Sequence, residues 1–218
     1  MTPGEPLVRG DWIGGHLDEI GARLAEHLLL TGLAVGVGFL LALALSLLIW
    51  RYSQVGAPVT WLAGVLYTIP SLALFAFLIP ITGLGLLTAE IGLVSYTLLI
   101  LIRGITDGIA SVPADVREAA LGMGYAPRQL LWRVELPLAL PIIMAGLRAA
   151  TVSTIGLVTV TALIGLGGFG YFILQGIQRF FSTPLIIGAV LSVALAVATD
   201  TALVWLTARL TPWTRSGG

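Results

Sequence analysis

The 218-residue sequence contains no cysteine and no lysine, and only 10% of its residues are charged. Without cysteine the chain cannot form disulfides, use a catalytic thiol or bind a metal through sulfur ligands. Without lysine it cannot contain the Gly-x4-Gly-Lys-Ser/Thr loop that binds the phosphates of ATP. Eleven arginines are balanced by 11 acids, and the resulting net charge of zero excludes a polybasic domain for nucleic acid.

Hydrophobic residues make up 57% of the sequence, and the charged fraction is well below the roughly 25% of a soluble domain. Polar groups are too few to cover a globule, so we expect most of the surface to face lipid. A membrane crossing needs about 20 mostly apolar residues. Such runs occur at residues 28–50, 59–81, 86–105, 138–163 and 185–206. The sequence therefore predicts an all-α integral membrane protein with five transmembrane helices and with its termini on opposite sides.

Arginines near the ends of the predicted spans indicate the orientation, because arginine is enriched on the cytoplasmic side of membranes. With the N-terminus outside, the inner side receives the larger share of these arginines. The inner set is Arg51, Arg103, Arg117, Arg128, Arg133, Arg148, Arg209 and Arg215, and the outer set is Arg9, Arg23 and Arg179. We therefore predict a multi-pass protein with its N-terminus outside and its C-terminus in the cytoplasm.

The predicted spans divide the chain into an outer tail (1–27), a transmembrane domain (28–212) and a short cytoplasmic tail (213–218). In the outer tail, apolar residues recur at helical spacing. They are Ile13, Leu17, Ile20, Leu24 and Leu28. This pattern predicts either a short amphipathic helix on the outer membrane surface or a simple extension of the first span.

The longest segment between spans, residues 106–137, lies on the inner side and is predicted to contain two short helices. The first starts at Pro113 and ends before Gly124, and the second starts at Pro127 and ends near Pro137. A loop of this length with regular helices is not a passive connector. Its mixture of charged and apolar residues suits either docking to a cytoplasmic partner or contact with lipid headgroups.

This segment also carries a motif. It reads Glu118-Ala119-Ala120, then Gly124 after three residues, then Val134-Glu135-Leu136-Pro137 after nine more. The motif resembles the EAA loop of binding-protein-dependent ATP-binding cassette importers, EAA-x3-G-x9-I-x-LP, with valine in place of isoleucine. The resemblance implies that the first helix enters a cleft of a separate ATPase. It assigns ATPase coupling to Glu118, Ala119, Ala120, Gly124, Leu136 and Pro137, with the small alanines permitting close approach.

Residues 67–73, 141–148 and 164–170 resemble permeases of the osmoprotectant branch, which imports quaternary amines such as glycine betaine, choline and carnitine. The resemblance implies a transport subunit of the bacterial plasma membrane, not an enzyme, that binds no cofactor itself. Its implied partners are a cytoplasmic ATPase that binds ATP and Mg, a second permease chain, identical or homologous, and an extracytoplasmic substrate-binding protein. Two alternatives remain open: an importer of amino acids or sulfonates on the same scaffold, and an integral membrane enzyme.

Two sets of polar or helix-breaking residues inside the spans are candidates for the transport path. Pro70 interrupts the second span and is followed by Ser71, and broken helices line many transport paths. Thr151, Thr154 and Thr161 lie near one face of the fourth span. They either line the path or allow close helix packing.

Charges within the spans are costly and are usually paired or functional. Asp200 lies at a depth similar to Arg103 and Arg148. These residues predict a structural ion pair. The alternatives are that Arg148 or Arg103 extends to the inner interface, or that Asp200 takes part in a proton relay.

Two weaker patterns are interpreted structurally. Gly165-x-Gly167-Gly168-x-Gly170 fits a dinucleotide-binding pattern but follows a membrane span instead of a strand, so we predict a flexible outer loop. His16 and His27 are predicted to be exposed surface residues, with no metal site.

Overall fold

Helices make up nearly all of the computed structural model, which describes residues 7–215 and contains no strand in that range. In chain order they are α1 (Gly10–Gly15), α2 (Leu17–Arg51), α3 (Gly56–Thr68), α4 (Ser71–Thr82), α5 (Leu86–Ala110), α6 (Ala114–Gly122), α7 (Pro127–Leu130), α8 (Leu136–Val160), α9 (Gly170–Gln178) and α10 (Ser182–Leu210). A π-helical turn, Leu131–Glu135, joins α7 to α8. Residues 1–6 and 216–218 of the two predicted tails lie outside the described range.

Four helical segments are long and apolar enough to cross a membrane. They are α2, α5, the continuous run Pro127–Ile164, and α10. The second span, predicted at 59–81 with an interruption at Pro70, is bent sharply there, because Ser53–Thr68 and Ser71–Thr82 meet at 97°. Pro70 explains the break, since proline lacks an N–H and disfavours helical backbone in the residue before it. Ile69 is accordingly extended, with a ψ of 127°.

The bent pair α3–α4 nevertheless runs the length of the bundle. We call the end that carries residues 111–126 the loop end and the opposite end, where α1 lies, the tail end. A buried apolar cluster at the loop end contains Ala63 of α3 with side chains of α2, α5 and α8. A second cluster at the tail end contains Phe75 of α4 with side chains from the other halves of the same three helices. The bent pair therefore makes the fifth crossing, as the five predicted spans require.

α5 and α8 approach so closely that their backbones touch at Gly104 and Gly146. A Cβ atom on Gly146 would lie 2.9 Å from the Cα of Gly104. Small residues at such crossings allow close van der Waals contact, which drives helix association where lipid replaces water. This contact fixes the end of α5 against α8, and it therefore fixes both ends of the segment that connects them.

The N-terminal tail does not form a separate amphipathic helix over residues 13–28. α2 runs without a break from Leu17 to Arg51, so the tail extends the first span, which is the alternative that the sequence left open. The short α1 precedes it and lies against the start of α10. There, Ser182 Oγ donates a hydrogen bond of 2.7 Å to the carbonyl of Leu7. The tail is thus part of the helical bundle.

Candidate functional site

The loop-end helix α6 carries the Glu118-Ala119-Ala120 segment and ends in a Schellman turn. Gly124 has a φ of 85°, a backbone conformation that glycine adopts without strain. Its N–H donates to the carbonyl of Leu121 at 2.9 Å, and the N–H of Tyr125 donates to the carbonyl of Ala120 at 3.1 Å. These are the two hydrogen bonds that define the motif. The helix therefore ends where it does because of a glycine.

α6 presents a surface of mixed character at the loop end. Glu118 and Ala119 are exposed, and Leu121 and Met123 are 51% and 72% exposed. Exposed apolar patches occur at surfaces that contact a partner protein or the membrane. Ala120 differs from the expectation, because it is only 2% exposed. Its small side chain allows packing within this chain instead of the approach of a partner.

Leu136 and Pro137 are half-buried in the first turn of α8. The prediction that a loop helix ends near Pro137 is wrong, since α7, the π-helical turn and α8 form the continuous run Pro127–Ile164. Inside an α-helix, a proline ring clashes with the carbonyl of the residue four positions earlier. The wider π-helical turn before Pro137 relieves that clash. The loop is therefore coupled rigidly to the fourth crossing.

Glu135 joins three helices at the loop end, and we call Trp50, Arg117 and Glu135 the Glu135 cluster. Glu135 is 4% exposed, and the indole N–H of Trp50 donates to its Oε2 at 3.2 Å. Arg117 Nε lies 2.8 Å from Oε1 in an ion pair, although its N–H is not aimed closely enough for a hydrogen bond. Arg117 Nη2 donates to the carbonyl of Ile109 at 2.5 Å. The cluster thus ties α6 to α2, to the end of α5 and to the helix that leads into α8.

Glu135 lies within the motif, but the sequence alone predicts no role for it. One feature of the sequence could have indicated a role: Glu135 is an acidic residue in an apolar helix next to a span, and a buried charge requires a partner. Its partners could not be identified because Trp50 and Arg117 are far from it in the sequence. A different acid, Glu90 of α5, has both carboxylate oxygens buried with no hydrogen-bond partner among the described residues.

The charges predicted to pair within the spans separate into one pair and one single residue. Arg148 donates from Nε to Asp200 Oδ1 at 2.8 Å and from Nη2 to Oδ2 at 2.9 Å, which joins α8 to α10 in a two-bond fork. Both side chains are about one-third exposed. Arg103 takes no part in this pair. It is exposed on α5 and makes no ion pair within the described range 7–215.

The break between α3 and α4 borders a pocket of about 280 Å3, which we call the break pocket. Its lining residues are Tyr67, Ser71, Tyr96, Ile100, Ala150, Ser153, Thr154 and Leu157. The Tyr96 hydroxyl donates a hydrogen bond to the carbonyl of Ile69, the extended residue between α3 and α4. A side chain of the neighbouring helix α5 therefore bonds to the backbone at the break.

The remaining path candidates lie in two kinds of surroundings. Ser71 and Thr154 line the break pocket, and Pro70 forms the break itself. Thr151 and Thr161 are buried between helices. The hydroxyls of all three threonines donate to carbonyls of the preceding turn. The contacts of Thr151 and Thr161 thus agree with the packing alternative.

His27 and the glycine-rich segment differ from their predictions because they pack against each other. His27 is fully buried, and its Nδ1 accepts a hydrogen bond of 3.3 Å from the N–H of Phe169. Nε2 must then carry the proton, and it lies 3.0 Å from the carbonyl of Ile155. Gly167, Gly168 and Gly170 are buried too, so this segment is a packed turn instead of a free outer loop. Across the described residues, no group of three or more His, Asp or Glu is placed to hold a metal.

A family profile described as "Binding-protein-dependent transport system inner membrane component" matches residues 33–212. The chain is 39% identical over 192 residues to the osmoprotectant import permease protein OsmW of Salmonella typhimurium, covering 86% of this chain and 89% of that one. It is 35% identical over 194 residues to the choline transport system permease protein OpuBB of Bacillus subtilis, with 89% of each chain covered.

Similar folds occur in solved structures. An inward-facing structure of the MetNI methionine ABC transporter matches with a TM-score of 0.77 at 22% identity, covering 88% of this chain and 96% of that one. An amino acid ABC transporter with histidines matches with a TM-score of 0.78 at 19% identity, covering 93% and 99%. At these identities the likeness shows the fold alone.

Proposed function

The chain belongs to the family of binding-protein-dependent transport system inner membrane components, and on this premise we propose that it imports quaternary-amine osmoprotectants. It is the membrane-spanning permease subunit of an ATP-driven importer and not an enzyme. The substrate class is supported by the names of its relatives, which include a choline permease and a glycine betaine/carnitine/choline permease, OpuCB of Bacillus subtilis, at 34% identity. ATP and Mg bind to a separate ATPase subunit.

The single observation that carries the coupling role is the geometry of α6. Its glycine-terminated end exposes Glu118, Leu121 and Met123 at the loop end, while Ala120 and Arg117 anchor the helix to its own chain. A helix that is exposed on one side and tied to three others on the opposite side can pass a displacement to the spans. The ATPase closes on ATP, moves α6, and thereby tilts the crossings between outward and inward access.

We further propose that the loop end is cytoplasmic, and the arginines support this because they lie mainly at that end. The N-terminus is then outside, where a binding protein delivers substrate, and a second permease chain completes the path. Because the chain has no cysteine, the orientation is tested with single introduced thiols. An impermeant thiol reagent applied to intact cells should label Gly14→Cys and not Ala126→Cys. Labelling at position 126 would reverse the orientation.

The substrate class is tested with the transporter purified together with the ATPase and binding protein that accompany it. In proteoliposomes, glycine betaine or choline should be taken up and should raise ATP hydrolysis several-fold above its basal rate. Methionine and taurine at equal concentration are the matched competitors. Uptake of either of these with no uptake of a quaternary amine would replace the proposed substrate class with one of the alternatives.

A further inference from the structure

The break pocket has the composition of a binding site. Its walls combine two tyrosine rings with the hydroxyls of Ser71, Ser153 and Thr154. The rings of Tyr67 and Tyr96 are 5.9 Å apart at 66°, so they present faces in different directions. The volume of about 280 Å3 lies just below the roughly 300–1,000 Å3 of sites for drug-sized ligands. The pocket therefore fits a smaller molecule.

The lining chemistry favours a cation without N–H donors. A primary ammonium group requires several hydrogen-bond acceptors, and carboxylates usually provide them, whereas none of the lining residues is acidic. A quaternary ammonium group has no hydrogens to donate and binds to aromatic faces within about 6 Å of the ring centroid. Ile100, Ala150 and Leu157 supply apolar contact for its methyl groups.

A second observation lies beside the break pocket. Tyr67 also lines a wider groove of about 560 Å3, together with Trp61, Thr68 and Arg103. Arg103 is an arginine within a membrane-spanning helix that makes no ion pair in the described part of the chain. An unpaired intramembrane charge is costly, and such residues commonly mark substrate pathways.

Arg103 and Tyr96 share one face of α5. They are seven residues, or about two turns, apart, which is a rise of roughly 10 Å. Side chains on a helix lean towards its N-terminus, and Arg103 lines the wider groove together with Tyr67 and Thr68. Tyr67, which lines both cavities, lies on the facing helix. The aromatic faces therefore lie next to a guanidinium group. This arrangement fits a molecule with a cationic group at one end and a carboxylate at the other.

We propose that the break pocket and Arg103 form a substrate site within the permease itself. Tyr67 and Tyr96 bind the quaternary ammonium head, and Arg103 binds the carboxylate of substrates that carry one. This inference rests on the proposed function, because it assigns a binding site for the same substrate class. It also makes a distinction that the proposed function does not make, since choline lacks a carboxylate and glycine betaine has one.

The test compares uptake of the two substrates in proteoliposomes that contain the complete transporter. Arg103→Gln should reduce glycine betaine uptake at limiting substrate by roughly ten- to a hundred-fold, the range for one charge-assisted hydrogen bond. Choline uptake should be unchanged or higher, because a repelling positive charge is removed. Tyr67→Leu should reduce uptake of both substrates, while Tyr67→Phe, which keeps the ring, should retain most of it.

The outcomes separate this inference from the proposed function. Wild-type protein that carries neither substrate contradicts the proposed function. Wild-type protein that carries both, with Arg103→Gln and Tyr67→Leu unchanged, contradicts only the intramembrane site. Equal loss of both substrates in Arg103→Gln, at a normal amount of assembled complex, also overturns it, because a structural role does not distinguish a carboxylate.

Discussion

Charged side chains have close partners at the loop end but lack an ion-pair partner beside the break between α3 and α4. At the loop end, Glu135 is buried and its two carboxylate oxygens lie against Trp50 and Arg117. Beside the break, Arg103 lines an open groove with Tyr67 and has no ion-pair partner in the range 7–215. The loop end is thus built to hold several helices together as one body. The break and the groove beside it are where we propose that a group from outside the chain binds.

The same contrast applies to the backbone. Gly124 ends α6 with both Schellman hydrogen bonds made, so the loop end has a defined stop. At the break, the carbonyl of Ile69 depends on a hydroxyl from another helix. A helix end whose backbone hydrogen bonds are made within the same helix can move as a unit. A break whose backbone carbonyl is bonded to another helix changes its conformation when that helix moves. This difference suits transmission at one place and gating at the other.

The largest expected effect on stability comes from removal of the buried acid. Glu135→Ala leaves Arg117 and the Trp50 indole N–H without their partner, and breaking a buried pair typically costs about 3–5 kcal/mol. Because Arg117 is 32% exposed and can turn to water, we expect a loss of about 2 kcal/mol. The measurement is the thermal unfolding midpoint of the purified complex. Glu118→Ala is the matched control, because it removes an exposed acid from the same region. Equal unfolding midpoints for the two variants would show that the Glu135 cluster does not contribute to stability.

A smaller effect is expected for the pair within the spans. Asp200→Asn keeps the size of the side chain but removes its charge. Since both partners are about one-third exposed, the loss in the thermal unfolding midpoint is expected to be smaller than that of Glu135→Ala. A double-mutant cycle with Arg148→Gln measures the coupling directly. Additive effects of the two changes would mean that the fork contributes no stability.

The parts of this fold that could be predicted from the sequence are those encoded by neighbouring residues. Runs of apolar residues predicted the crossings, and the EAA spacing located the exposed helix with its terminal glycine. Pro70 predicted a kink, but the 97° angle also depends on the packing of α3 and α4 into separate clusters. Local pattern cannot supply such information.

The failures share one cause, which is contact between distant parts of the chain. His27 looked like a surface residue because its partners, Ile155 and Phe169, lie more than a hundred positions away. The glycine-rich segment looked flexible because the helix that covers it is equally remote. Arg148 and Arg103 were equivalent candidates for Asp200 until the positions of their helices were known. Buried polar residues were therefore the hardest to assign, since their partners decide their roles.

The central claim is that α6 couples this chain to an ATPase, and a charge at its glycine end tests it most directly. Gly124→Asp places a side chain at a φ of 85°, at a strain of about 1 kcal/mol, and adds a negative charge to the docking end. Gly124→Asn is the matched control, because asparagine tolerates this backbone region and is uncharged. Neither change touches a crossing, so both variants should reach the membrane in normal amounts.

The measurement is recovery of the ATPase with detergent-solubilised permease, at matched permease amounts, together with substrate-stimulated ATP hydrolysis. We predict that Gly124→Asp recovers less than about a tenth of the wild-type ATPase, the effect of a loss near 1.4 kcal/mol or more, and shows no stimulation. Gly124→Asn should recover most of it. Full recovery and full stimulation in Gly124→Asp would contradict the claim that this helix is the coupling element.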